Sequence, residues 1–145
     1  MTTRDFLFGS GATSRATDIG LLILRLGVGL AMAFGHGIGK IPPSEGFVEG
    51  TAAMGFPVPV VFAWAAALSE FLGGILIALG LLTRPAALML AGTMAVAAFV
   101  RHVADPFSTK ELALVYLVAS LALLIAGAGR YALDARFRPR GRVAN

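Results

Sequence analysis

Eight ionisable side chains fall in or beside stretches that are otherwise apolar: Arg25, His36, Lys40, Glu70, Arg101, His102, Lys110 and Glu111. Arg25 and His36 lie eleven residues apart, three helical turns and about 20°, so both occupy one face of a single helix. His36 and His102 are the two histidines of the chain. A pair of imidazoles on neighbouring helices has three chemistries open to it. The two rings can ligate a b-type haem from its two sides. With Glu111 they can form a three-ligand metal site. Or they can hydrogen-bond the carbonyl oxygens of a quinone headgroup whose isoprenoid tail lies between helices. Without a ligand, both would be interfacial imidazoles solvated at a membrane edge. No spacing among these residues is a diagnostic ligand motif. The chain has no cysteine, which removes disulfides, thiol nucleophiles and Cys-ligated zinc or iron–sulfur clusters.

The elements that position these groups follow from composition. Apolar residues make up 57% of the 145 and charged residues 14%, against roughly 45–50% and about 25% in soluble domains. A soluble domain of this length has too little interior for so much apolar surface, and lipid is the solvent that fits. Four apolar segments, near 18–38, 57–82, 85–103 and 111–128, have about the 20 residues that a membrane-crossing helix needs. Pro42-Pro43, Pro57 with Pro59, Thr83-Arg84-Pro85 and Asp105-Pro106 punctuate the intervals. Ala31-Met32-Ala33 has the form of a signal-peptide cleavage site. Arg25, however, sits where the apolar core of a signal peptide has no charge, so the first segment reads as a retained helix.

The expected fold is all-α: an integral membrane four-helix bundle of up-down topology. A short amphipathic outer-face element is expected within residues 41–55, where Phe47, Val48 and Met54 alternate with Glu45, Glu49 and Thr51. Residues 1–17 read as a flexible N-terminal tail, 18–135 as the bundle and 136–145 as a basic C-terminal tail. Gly35-x-x-x-Gly39, Gly27 with Gly29, and Gly73-Gly74 are candidates for close helix contact.

The net charge of +4 forms no basic face interleaved with aromatics, so nucleic acid is not an expected partner. With four spans, eight Lys and Arg fall on the side of the two tails and three on the other, with Arg25 left inside a span. The positive-inside rule then puts both termini in the cytoplasm.

A charge at a helix centre costs about 2.5–3.5 kcal/mol on insertion scales, so each needs a reason. At about 1.5 Å per residue, Arg25 lies about 9 Å up the first span and Glu70 about 18 Å up the second. A buried Arg25–Glu70 ion pair is the expected result. His36 and His102 both fall about 26 Å up parallel helices, which predicts a polar vestibule near the outer surface with Lys40 close by.

Several blocks stand out along the chain. Arg25-Leu26-Gly27-Val28-Gly29 runs into His36-Gly37-x-x-Lys40, and Gly46-Phe47 and Gly55-Phe56-Pro57 precede the second span. Glu70-x-x-Gly73-Gly74, Gly80-Leu81-Leu82-Thr83-Arg84 and Gly127-x-Gly129-Arg130-Tyr131-x-Leu133-Asp134 follow. In these blocks, over roughly residues 18–134, the sequence resembles the DoxX family of small bacterial and archaeal membrane proteins. The resemblance implies a four-helix fold in the cell membrane. It also implies a place among subunits of quinone-linked oxidoreductases, such as terminal quinol oxidase and thiosulfate–quinone oxidoreductase complexes.

The expected function is therefore that of a membrane subunit of a redox system, binding quinone or a similar lipophilic carrier through Arg25, His36, Lys40, Glu70 and His102. Its expected partners are the lipid bilayer and either an oxidoreductase subunit or further copies of itself. Two alternatives stand beside this reading: a small-solute or proton conductor, and an assembly subunit without a ligand.

Overall fold

The computed structural model describes residues 14–137, all of whose regular elements are helical. The two tails expected at the chain ends lie almost wholly outside the described residues. Helix α1 (Arg15–Met32) starts where the Ser14 side chain accepts from Thr17 N at 3.2 Å, an N-cap that satisfies an orphan donor. It continues through a π-turn (Ala33–Gly37) and a 3₁₀ turn (Ile38–Lys40) into one 26-residue span, Arg15–Lys40. Helix α2 (Glu45–Ala53) is the short element expected before the second span, capped by Ser44.

Helix α3 (Pro59–Leu79) has proline at its start, where the missing N–H is no loss, and ends at Gly80 with φ 67°. Helix α4 (Thr83–Val96) runs into a second π-turn (Ala97–Arg101), giving a 19-residue span. Helix α5 (Phe107–Ala126) is followed by a 3₁₀ turn (Leu133–Phe137).

Four spans of 19 to 26 residues match the about 20 needed to cross a bilayer, and the chain is a multi-pass membrane protein. α1 packs on α3, α3 on α4 and α4 on α5, and α5 closes back on α1. One end of the bundle gathers the start of α1, the α3–α4 turn and the segment after α5; we call this the terminal end. The other, the loop end, carries α2 and the α4–α5 connection. Ile23, Val118 and Ile125 are 67, 66 and 77% exposed on the periphery. In water such a surface would be an aggregation hazard; in lipid it is the solvated face.

Apolar burial drives nothing between helices in lipid, so the helices join where small residues let the backbones touch. Gly29, Ala33 and Gly37 recur every four residues and face Gly74, Ala78 and Phe71 of α3. A Cβ at Gly29 would lie 2.5 Å from Gly74 O, and one at Gly74 would lie 2.8 Å from Gly29 O. The pair expected from sequence, Gly35-x-x-x-Gly39, does not make this contact: a Cβ at either meets nothing within 4 Å. The four-residue repeat is real, but the stripe that meets the partner is the neighbouring one.

Replacing Gly74 by valine drives a side chain into backbone atoms that cannot rotate away. It should destabilise by the upper part of the roughly 1–3 kcal/mol of overpacking, or prevent assembly. Gly35→Ala should leave stability unchanged. Thermal melting of the two purified variants by circular dichroism checks this, and equal midpoints would contradict the packing described.

Candidate functional site

In a helix the Cα–Cβ bonds tilt toward the N-terminus. α1 runs from the terminal end to the loop end, so Arg25 is aimed back toward the terminal end. α3 runs the opposite way, so Glu70 is aimed toward the loop end. The two diverge, and the expected Arg25–Glu70 pair does not form. Its place is taken by Lys40, which closes the first span and points down into the bundle. Lys40 Nζ donates to both carboxylate oxygens of Glu70, at 2.7 and 2.6 Å. Glu70 is 3% exposed and Lys40 35%. The same ammonium lies 5.5 Å from the centroid of the Phe47 ring, a cation–π contact that ties α2 to the pair.

Four of the five residues singled out from sequence come together here. His36, Lys40, Glu70 and His102 line one cavity of about 160 Å³ between α1, α3, α4 and α5. The two imidazoles share it, as their matching depths implied. The His36 ring meets Tyr116 of α5 edge-on at 5.8 Å between centroids. His102 Nδ1 lies 2.7 Å from Asp105 Oδ2. Met32, Met94 and Leu112 supply apolar wall.

Each histidine is associated with a π-turn: His36 lies within Ala33–Gly37, and His102 directly follows Ala97–Arg101. Such turns break the regular i→i−4 ladder and occur often at functional sites. Lys40 and Glu70 cancel in charge, so the cavity suits a neutral polar group better than an ion. At about 30 Å³ per water it has room for roughly five waters. That is enough for a small ring.

Glu111 is exposed and lies outside the cavity lining. Among the described residues no three His, Asp or Glu side chains are placed to hold a metal. The three-ligand alternative built on His36, His102 and Glu111 is not assembled. A second cavity, about 370 Å³, lies between α2, α3 and α4 and is apolar apart from the hydroxyls of Thr51, Ser69 and Thr93.

Arg25 belongs to a different cluster at the terminal end. It is 2% exposed, donates to Ala78 O and Tyr131 O, and faces the charge of Asp134. Asp134 in turn accepts from Leu82 N at 2.7 Å and Thr83 N at 3.0 Å, capping α4 from fifty residues away. This cap also holds Leu82 in its left-handed conformation, φ 47°. Asp18 accepts from Arg130 N at 2.7 Å. The cluster fastens the segment after α5 across the terminal end. Along the spans, buried apolar residues lie between it and the cavity: Ile77, Ala87, Leu90 and Leu123.

Sequence reasoning missed Tyr116, Asp105, Asp18 and Asp134. Tyr116 could have been found as a phenol in mid-span. The three aspartates sit at span edges, where carboxylates look like ordinary boundary residues.

A family model described as DoxX matches residues 20–103. The chain belongs to the DoxX family. This DoxX protein is 30% identical over 122 residues to a Bacillus subtilis protein named "Putative oxidoreductase CatD", covering 83% of the chain and 89% of that relative. It is 41% identical over 95 residues to an uncharacterised Haemophilus influenzae protein, covering 61% of the chain and 68% of that relative. No solved structure shows significant similarity to it. The sequence blocks have separate tasks in this DoxX chain: the His36-Gly37-x-x-Lys40 and Glu70 blocks line the cavity, and the segment 127–134, beyond the matched residues, builds the terminal clamp.

A double-mutant cycle distinguishes the observed pairing from the expected one. Lys40→Met and Glu70→Gln should couple by roughly 0.5–3 kcal/mol in unfolding stability. Arg25→Met with Glu70→Gln should be additive. Additivity at Lys40, or strong coupling at Arg25, would overturn the assignment.

Proposed function

We propose that this DoxX protein is the membrane subunit of a redox system, and that its cavity takes the headgroup of a quinone or similar lipophilic carrier. The observation that carries the reading is the convergence of His36, Lys40, Glu70 and His102 on one neutral, headgroup-sized space at the loop end of the bundle. Ligand pockets for whole drug-sized molecules run to about 300–1,000 Å³. At about 160 Å³ the cavity suits a ring alone, with a tail passing out between helices into lipid.

The Bacillus relative's name as an oxidoreductase supports a redox context. The chain has no cysteine for an iron–sulfur cluster, and a second subunit would complete electron transfer; a partner oxidoreductase subunit or further copies of this chain would fill that role. In this reading the terminal end faces the cytoplasm of a bacterial or archaeal cell, following the excess of Lys and Arg on that side.

Conduction is the weaker reading because of the apolar core between cavity and terminal clamp. A proton or solute path from Glu70 to the terminal end would have to pass the buried apolar residues Ile77, Leu90 and Leu123. An assembly subunit without a ligand accounts for the fold and for the Lys40–Glu70 pair but leaves the cavity between the two histidines without a task.

An organic extract of the purified protein, analysed for quinone, checks the proposal. Near-stoichiometric quinone from the native protein, reduced at least severalfold in His36→Ala, is the expected result. An extract containing phospholipid alone, together with no binding of added short-chain quinone, would remove it.

A further inference from the structure

The polar groups around the cavity differ in what they offer a ligand. The Lys40 ammonium has three hydrogens and spends two on Glu70, so it remains a donor. The other pole is His102, whose Nδ1 lies 2.7 Å from Asp105 Oδ2. This contact is built into the backbone, since Asp105 N also donates to His102 O at 3.1 Å and closes a turn between the two residues. Pro106 follows and fixes the exit of that turn at the start of α5. A carboxylate only accepts hydrogen bonds, so it requires Nδ1 to carry the hydrogen. In a neutral imidazole the other nitrogen is then an acceptor.

We infer that Asp105 is a positioning residue that holds His102 in its Nδ1-protonated tautomer, so that the cavity offers an acceptor nitrogen, Nε2, at one pole and a donor ammonium, Lys40, at the other. The inference rests on the quinone reading for its ligand, but the tautomer stands independently of it. A ring oxygen bearing a hydrogen satisfies Nε2, whereas a bare carbonyl at that pole faces a lone pair. The cavity therefore favours the dihydroxy, reduced form of a ring carrier over the dicarbonyl form. At the Lys40 pole either form accepts a hydrogen bond, so that pole does not discriminate. Selectivity is set by Asp105 through His102, although Asp105 itself does not line the cavity.

The test uses the full-length protein in phospholipid nanodiscs with ¹⁵N-labelled histidine. The two histidine signals are assigned with a His36→Gln variant. The tautomer signature of His102 should be protonated Nδ1 and unprotonated Nε2. Asp105→Ala should shift it toward the Nε2-protonated form, and Asp105→Glu should largely restore it. A wild-type His102 protonated on Nε2, or a signature unmoved by Asp105→Ala, would overturn the inference.

The second arm measures binding of a short-chain 1,4-benzoquinone and of its hydroquinone kept reduced, a condition harmless to a protein without disulfides. The native protein should bind the hydroquinone about three- to tenfold more tightly, the worth of one hydrogen bond, and Asp105→Ala should bring the ratio near one. Equal binding of both forms by the native protein would refute the selectivity. Binding of neither would refute the quinone reading, while the tautomer spectrum still decides the role of Asp105.

Discussion

A charge in a lipid-embedded bundle must find its partner inside the protein, and the direction of its helix decides which partner it can reach. Water cannot compensate an ammonium or carboxylate at these depths, so a mismatched pair would not persist. Arg25 and Glu70 are the two buried charges that lie deepest in the spans, and depth alone brings them together. Helix polarity separates them, because side chains on antiparallel helices lean toward opposite membrane faces. Glu70 is neutralised by Lys40 from the loop end. Arg25 is satisfied by carbonyls and Asp134 at the terminal end.

From this division follows a molecule with two polar ends and a dry middle. The terminal cluster is held mainly by backbone groups: Asp134 caps α4, Asp18 holds Arg130 N, and Arg25 binds two carbonyl oxygens. Such an arrangement fastens chain segments to one another. The loop-end cluster joins side chains to one another around a cavity, next to two π-turns. There the polar groups keep unused hydrogen-bonding capacity, which is what a binding site requires. The close approach of α1 and α3 at Gly29, Gly37 and Gly74 makes the second arrangement possible, since Gly37 sits against the backbone of Glu70 and Phe71.

The parts of this design legible in sequence are those governed by periodicity and composition. Four spans, the short helix before the second, and the shared depth of His36 and His102 all follow from counting residues along regular helices. The partner of Glu70 is not legible from depth, which is a scalar, because the direction of each side chain along its helix decides the pairing. Lys40, at the end of its span, looked like an interfacial flank, yet its long side chain reaches back into the bundle. The π-turns have no composition signal that separates Ala33–Gly37 from the α-helix before it. Gly35 and Gly39 matched a helix-contact motif, but a motif does not tell which face of α1 meets α3. The carboxylates of Asp18, Asp105 and Asp134 act through tertiary contacts that local sequence does not encode.

The central claim is that Glu70 is an ionised carboxylate held within the membrane by Lys40. Infrared difference spectroscopy of the protein in bilayers, native against Glu70→Gln, reads this directly. The account predicts loss of a carboxylate stretch from the native spectrum, and its replacement by a protonated carboxylic C=O stretch when Lys40 is changed to methionine. A protonated Glu70 in the native protein, or a carboxylate that survives the loss of Lys40, would contradict it.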